Sequence, residues 1–514
     1  MDKAVKKIVI VGGGSAGWLT AGVLAAEHNI AEHHSLEITL IESPDVKTIG
    51  VGEGTWPSMR NTLDKIGITE LEFIQQCDAS FKQGSKFINW RTGKNDEFYY
   101  HPFMTPDGYT QVNLQAHWQE KHPDQSFAQT VNMQHYVCEA GLAPKQLATP
   151  DYAGVTNYGY HLDAGKFSTL LQKHCTTKLA VKHVIAHIDQ VISSPCGDIE
   201  KLSTRDGQTI MGDLFIDCSG SSGLLINKHF NIPFIKQDNV LFNNCALATQ
   251  VPYSQQSNIA SATLSTAQTS GWIWDIGLPT RRGVGHTYSS SHTSDTDAEQ
   301  QLRRYIANSI GDKESEKLSI RKLNFMPGYR EKFWHKNCVA VGMSAGFIEP
   351  LEASALAMIE LSITMISEQL PQTRQQMDIV AKRFNSRFSY RWQRVIEFLK
   401  LHYILSERRD SEYWRDNQSA SCIPERLAEL MQLWRYQPPS RYDFIENEEV
   451  FPSASYQYVL YGMGYRTQPR DHQTQFENNK IAEQLFAKVQ MQKNQCLQGL
   501  PTNQALINHY CQQQ

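Results

Sequence analysis

Residues Lys6–Val11 run from two lysines into four consecutive apolar positions, Ile8 to Val11, the pattern of a strand buried on both faces of a parallel sheet. Gly12 to Gly17 then reads as a tight turn, Trp18 to Glu27 as a helix, and Leu36 to Ile41 as a second strand ending at Glu42. Together these make a βαβ opening. Further strands are predicted at Lys86–Trp90, Val240–Gln250 and Gly283–Tyr288, within a Gly- and aromatic-rich stretch that reads as a sheet inserted into the opening domain. Cys338–Gly342 is a later buried strand and Ala355–Ile366 a buried helix. From about Met358 to Trp434 the apolar spacing is helical. The expected division is an α/β domain over 1–385 with the inserted sheet, and a mainly helical part over 386–514. The Gln/Asn-rich end, Gln490 to Gln514, reads as a solvated helix and frayed tail.

The 514 residues carry a formal charge of −4, with no block of like charges, so nucleic acid is not an expected partner. No apolar run reaches the ~18–20 residues that span a bilayer, and the polar start is unlike an export signal. A soluble cytoplasmic chain is expected. The ten cysteines are scattered without a Cys-x-x-Cys, which fits a reducing compartment and gives no structural metal.

Gly12, Gly14 and Gly17 form G-x-G-x-x-G between strand and helix, with Ser15 and Ala16 at the variable positions, where absent side chains let the backbone approach a pyrophosphate. Glu42, 25 residues beyond Gly17 at a strand end, is placed for ribose hydroxyls, which selects an unphosphorylated adenosine ribose, FAD or NAD. Asp213 to Gly220, a strand leading into Asp217-x-x-Gly220, is the second flavoprotein-like signal and favours FAD, although an ordinary strand and turn has the same pattern. No second G-x-G-x-x-G follows a strand later, so the flavin is expected to arrive already reduced. The Gly50-Val51-Gly52-Glu53-Gly54-Thr55 tract is a glycine loop. Phe347 to Ser354 places Glu349, Pro350 and Glu352 just before a helix, whose open N–H groups and positive dipole end suit an anion.

Taken with Ser80-Phe81-Lys82 and Gly271-Trp272-Ile273-Trp274-Asp275-Ile276, these tracts resemble the flavin-dependent tryptophan halogenase family over roughly residues 5–405. The resemblance implies an FAD-binding Rossmann-like fold of the two-dinucleotide-binding-domain flavoprotein type, with an inserted mixed β-sheet and a helical C-terminal part. It implies FADH2 from a separate flavin reductase, chloride or bromide, a small electron-rich aromatic substrate of indole type, and a possible homodimer. Lys82 and Glu352 match the catalytic pair, with Lys86 the nearest competitor for the lysine. Gly50, Val51, Gly52 and Glu53 match the flavin-covering loop, Gly342 and Leu351 further flavin contacts, and the backbone at Ser354 and Ala355 the halide cup. Trp272 and Trp274 match rings beside the passage from flavin to substrate, while His101, Phe103 and His402 match the indole pocket. The chain departs from the family at Glu352-Ala353-Ser354-Ala355, in place of Glu-Ser-Thr-Gly, and at Gly277, in place of a proline whose loss is expected to loosen the tryptophan wall. No tryptophan clamp aligns between Arg441 and Gly464. A flavin-dependent aromatic hydroxylase and a non-catalytic flavin-binding protein are the competing readings.

Overall fold

The computed structural model describes residues 3–33, 35–45, 52–94, 97–254, 258–446, 448–468 and 478–512. The chain divides into two compact units, each assembled from three separated segments.

The first unit comprises residues 1–79, 162–237 and 326–392. Its central sheet runs Trp334–His335, Cys338–Ala340, Leu214–Asp217, Lys7–Val11, Glu37–Glu42, Lys182–Ile185, parallel throughout except for the first pair. The four-residue apolar run decides this placement. Ile8, Val9, Ile10 and Val11 are all buried, as a strand covered on both faces requires. Phe215 and Ile41 join Val9 and Val11 in one core cluster. The helix after the first strand begins at Ser15 rather than Trp18 and ends at Glu27, and it packs on helices Ala164–Thr177 and Ser354–Glu368.

The second unit comprises residues 80–161, 238–325 and 393–514. Its seven-stranded sheet runs Arg321–Asn324, Cys245–Val251, Arg282–Tyr288, Gly271–Gly277, Thr263–Gln268, Gly84–Ile88, Phe98–Pro102. All pairs are antiparallel except Thr263–Gln268 with Gly84–Ile88, which makes the sheet mixed. Helix Asp295–Ile310 covers one face through Ala298, Leu302 and Ile306, spaced four apart on a single stripe. The predicted strands are present but shifted: 86–90 is observed at 84–88 and 240–250 at 245–251.

The C-terminal segment corrects the solvated-tail expectation. Helix Asn479–Gly499 buries Ala482, Phe486, Val489 and Cys496, and helix Asn503–Gln512 buries Asn503, Leu506, Ile507 and Tyr510. Steps of three, four and seven keep these residues on one helix face, an apolar stripe that the surrounding Gln and Asn residues mask. All ten cysteines are free thiols, eight of them buried. Among the described residues no helix is long and apolar enough to cross a membrane, and no cluster of three or more His, Cys, Asp or Glu forms a metal site.

Candidate active site

In the first unit the glycine turn closes tightly on the neighbouring strand end. Gly12 has φ +119°, and a Cβ there would lie 2.2 Å from the Cys218 carbonyl oxygen, so only glycine is accommodated. Gly14 is the opposite case. A Cβ there would meet nothing within 4 Å, which leaves the start of helix Ser15–Glu27 open to the close backbone approach that a dinucleotide pyrophosphate makes. Ala16 and Gly17 lie in the first turn of that helix, and the hydroxyl of Ser15 is 3.1 Å from that of Ser168. Gly342, at φ +74°, brings a short 3₁₀ turn onto the same helix start, where a side chain would press on Ala16.

Glu42 ends its strand with the carboxylate over Gly13 and 2.7 Å from His183 Nε2. Asp217 is fully buried and accepts four protein hydrogen bonds: from Ser219 N and Oγ through Oδ1, and from the Leu225 and Ile226 amides through Oδ2. Those bonds fold the 219–226 turn. Gly52 and Glu53 lie in the short strand Gly52–Gly54; Gly50 and Val51 fall outside the described residues.

The acid tract forms an unusual turn in the same unit. Pro350 is followed by a 3₁₀ turn, Leu351–Ala353, in which Leu351 and Glu352 are buried. Both Glu352 (φ 64°, ψ 5°) and Ala353 (φ 54°, ψ 44°) are left-handed, a conformation costing roughly 1–2 kcal/mol for each non-glycine residue. Two such residues in succession at a buried carboxylate mark a place where the surroundings impose the backbone. Helix Ser354–Glu368 starts immediately after them, one residue before the predicted start, with no side-chain cap. Its first amides, from Ser354 (buried) and Ala355 (exposed), are those a helix start leaves without intrahelical partners. The Trp56 indole N–H donates to the Glu352 carbonyl oxygen at 2.8 Å. Glu360, two turns along the helix, accepts from the Ser58 and Thr62 hydroxyls at 2.9 and 2.5 Å. Burial pushes its carboxyl up to about 7, against the opposing pull of those two donors.

In the second unit Lys82 lies at the end of strand Ser80–Lys82 and is 1% exposed, a state lysine rarely adopts. Its ammonium is 5.3 Å from the centre of the Phe103 ring, within cation–π range. Gln83 N donates to Ser261 O at 2.7 Å, Phe103 N donates to Gln83 O at 3.1 Å, and the Gln83 side chain donates to Leu142 O and accepts from Thr156. Lys86 is not an equivalent lysine, because it is paired with Glu139 at 2.5 Å and lies over Phe98.

His161, in a Tyr158 to Ala164 tract that also resembles the family and has no catalytic role assigned from sequence, and Asn503, which the sequence does not single out, also support this strand. His161 stands opposite Ser80 in the paired strand, fully buried, with Nε2 2.8 Å from Thr263 Oγ1. Burial, with the nearby Lys82 charge added, holds its pKa well below the usual histidine range, so the imidazole is neutral. Asn503, on the C-terminal helix, donates to the carbonyls of Phe81 and Ala260. Only the apolar stripe of the last helix hints at Asn503 in the sequence.

Trp272 and Trp274 are buried with ring centroids 6.3 Å apart, on one face of strand Gly271–Gly277 as their spacing requires. At the proline-to-glycine change the strand runs through to Gly277. Gly277 stays in register with Arg282, and its carbonyl accepts from Ser80 Oγ at 2.5 Å. His101 bonds Ser455 Oγ at 2.9 Å and His402 bonds the Phe398 carbonyl at 3.0 Å, both rings packing on Phe398. His402 is fully buried between Phe87 and Trp90. In the 441–464 tract, Phe444 packs on Tyr456, whereas Tyr442 and Ile445 are exposed. Elsewhere in this unit the buried Glu397 is bonded by the buried Arg394 and the half-buried Arg426.

The parallel sheet of the first unit, with an open glycine turn at one strand end and Glu42 at the next, is an arrangement of dinucleotide-binding type. The model of the tryptophan halogenase family matches residues 7–478, and the chain belongs to that family. Tryptophan 7-halogenase RebH of Lentzea aerocolonigenes is 34% identical over 84% of this chain and 81% of its own. Tryptophan 6-halogenase ThaL of Streptomyces albogriseolus is 31% identical over 99% of each chain. Among solved structures, the tryptophan halogenase from Shewanella frigidimarina superposes with a TM-score of 0.96 at 51% identity, covering 99% of this chain and 98% of that one. BrvH, a flavin-dependent halogenase from Brevundimonas, gives 0.84 at 28% identity, with 98% and 99% covered.

Proposed function

We propose that this chain halogenates an indole-like aromatic compound by electrophilic substitution, using FADH2 delivered by a separate reductase, oxygen, and chloride or bromide. The observation that carries the reading is Lys82, a lysine with almost no exposure, held on a paired strand beneath an aromatic ring in a chain of the halogenase family. Reduced flavin with oxygen supplies the oxidising equivalents that turn halide into hypohalous acid.

The chain's own residues are assigned as follows. The Gly12, Gly14, Ser15, Ala16 and Gly17 turn would hold the pyrophosphate and Glu42 the adenosine ribose. Asp217 acts on that site through the 219–226 turn it folds, since both its oxygens are committed to protein donors. Gly342 and Leu351, with Gly52 and Glu53, would line the flavin. The amides of Ser354 and Ala355 would bind halide, as an uncapped helix start favours an anion. Lys82 would hold hypohalous acid by hydrogen bond or as a haloamine, and Glu352 would polarise it or remove the ring proton. Both tasks are proton-transfer work of a kind worth ~10²–10⁴-fold. Phe103, His101 and the Phe398-packed His402 give the substrate side an aromatic character, with Trp272 and Trp274 walling the passage.

The test is mass spectrometry of indole incubated with the protein, a flavin reductase, NADH and bromide. A one-bromine isotope pattern supports the reading. A hydroxylated, halogen-free product would favour the hydroxylase alternative, and no product with tight flavin binding would favour the carrier.

A further inference from the structure

Residues 52–62 reach the acid-bearing helix at two places. Trp56 Nε1 donates to the carbonyl oxygen of Glu352 at 2.8 Å, and the Ser58 and Thr62 hydroxyls bond Glu360, eight residues further on. The second attachment fixes how the helix lies along the segment. The first acts on the turn itself, because the carbonyl it holds belongs to the first of two consecutive left-handed residues, Glu352 and Ala353. A left-handed pair without glycine reverts toward ordinary backbone unless something retains it. Reversion would rotate the peptide planes that follow and disperse the amides of Ser354 and Ala355.

We infer that Trp56 is a positioning residue for halide: its indole N–H holds the Glu352 carbonyl, and so keeps the left-handed turn and the two helix-start amides in one arrangement. This rests on the halide assignment above. The sequence offers no hint of this role for Trp56, because a tryptophan at the start of a helix reads as packing.

Replacement of Trp56 by benzothienylalanine isolates the N–H, keeping the bicyclic shape and substituting sulfur for the nitrogen, and Trp56→Phe removes the N–H together with the fused ring. Loss of one hydrogen bond of ordinary strength corresponds to about a 5-fold change in an equilibrium constant. Bromide KM should therefore rise at least ~5-fold in both variants, with FAD affinity within about twofold of wild type. Amide hydrogen exchange of the 353–356 segment should quicken by a similar factor, while exchange of strand Lys7–Val11 stays unchanged. Unaltered bromide KM and unaltered exchange in both variants would overturn the inference, as would parallel losses of bromide and FAD affinity, which signify general loosening. If wild-type protein gave no halide-dependent product, the halogenase reading would fail, and the exchange measurement would still decide whether Trp56 holds the turn.

Discussion

The side-chain amide of Asn503, on the last helix, donates to the backbone oxygen of Phe81 at 3.1 Å, one residue before Lys82. It also donates to Ala260 O at 3.2 Å, and the residue is fully buried. The C-terminal helix thereby ties down the strand that presents the lysine. Asn503→Leu removes both bonds and leaves two carbonyls short of a donor, a loss of about 2 kcal/mol or more. Thermal unfolding should shift down accordingly. Product formation should fall about tenfold at temperatures where the variant remains folded, with FAD affinity unchanged, a loss the size of ~1.4 kcal/mol. Wild-type product rates in a folded variant would remove Asn503 from the support of Lys82.

Stability should also depend on Glu360. Its folded pKa of about 7 lies above the ordinary 4.5 because burial disfavours the charged form. A raised carboxyl favours the folded state when protonated, so its contribution is complete below about pH 4.5 and is lost as pH rises through 7. Glu360→Gln keeps one oxygen to accept from one of the two hydroxyls and an N–H that the other can accept, as the protonated acid does, without the charge. The variant should match wild type near pH 5 and exceed it near pH 8, by up to about 3 kcal/mol, in denaturant titrations at the two pH values. A variant less stable than wild type at pH 8 would refute this account of the buried acid.

Glu352→Gln preserves the shape of the turn and removes the base. Halogenation should slow by at least ~10²-fold if Glu352 takes the ring proton. Glu349→Gln serves as the comparison, since Glu349 is equally buried in the same tract. A near-normal rate for Glu352→Gln, with a large loss for Glu349→Gln, would transfer the role.

The legible parts of this molecule are those whose physics is local. Four apolar residues followed by spaced glycines allow only a buried strand and a backbone-open turn, and the structure has both at Lys7–Val11 and Gly12–Gly17. Lys82 and Glu352 were legible only through family motifs, because a lone lysine or glutamate carries no sign of burial. The supports of the site were not legible. Trp56 to Glu352 spans 296 residues and Asn503 to Phe81 spans 422, and no periodicity within one segment reports such a contact. The C-terminal stripe was hidden by composition: Gln and Asn dominate the count, while Leu506, Ile507 and Tyr510 decide the packing.

Indole should be preferred to free tryptophan. The described aromatic side of the second unit includes Phe103, His101 and His402, and the buried carboxylate of Glu397 is already engaged by Arg394 and Arg426. An amino-acid zwitterion left without partners in such a site costs on the order of several kcal/mol. Measurement of kcat/KM for the two substrates with one reductase and one halide checks this. A clear preference for tryptophan would mean that the 441–464 tract supplies a clamp.

The central claim is that Lys82 acts on hypohalous acid after it has formed. The most direct measurement compares wild type with Lys82→Ala, with reductase, NADH, FAD, bromide and indole present, recording brominated product by mass spectrometry and oxygen consumption in the same reaction. Lys82→Ala should make at least ~10²-fold less bromoindole, a proton-transfer-sized loss, while flavin binding and oxygen consumption stay near wild type. Undiminished bromoindole from Lys82→Ala would contradict the account.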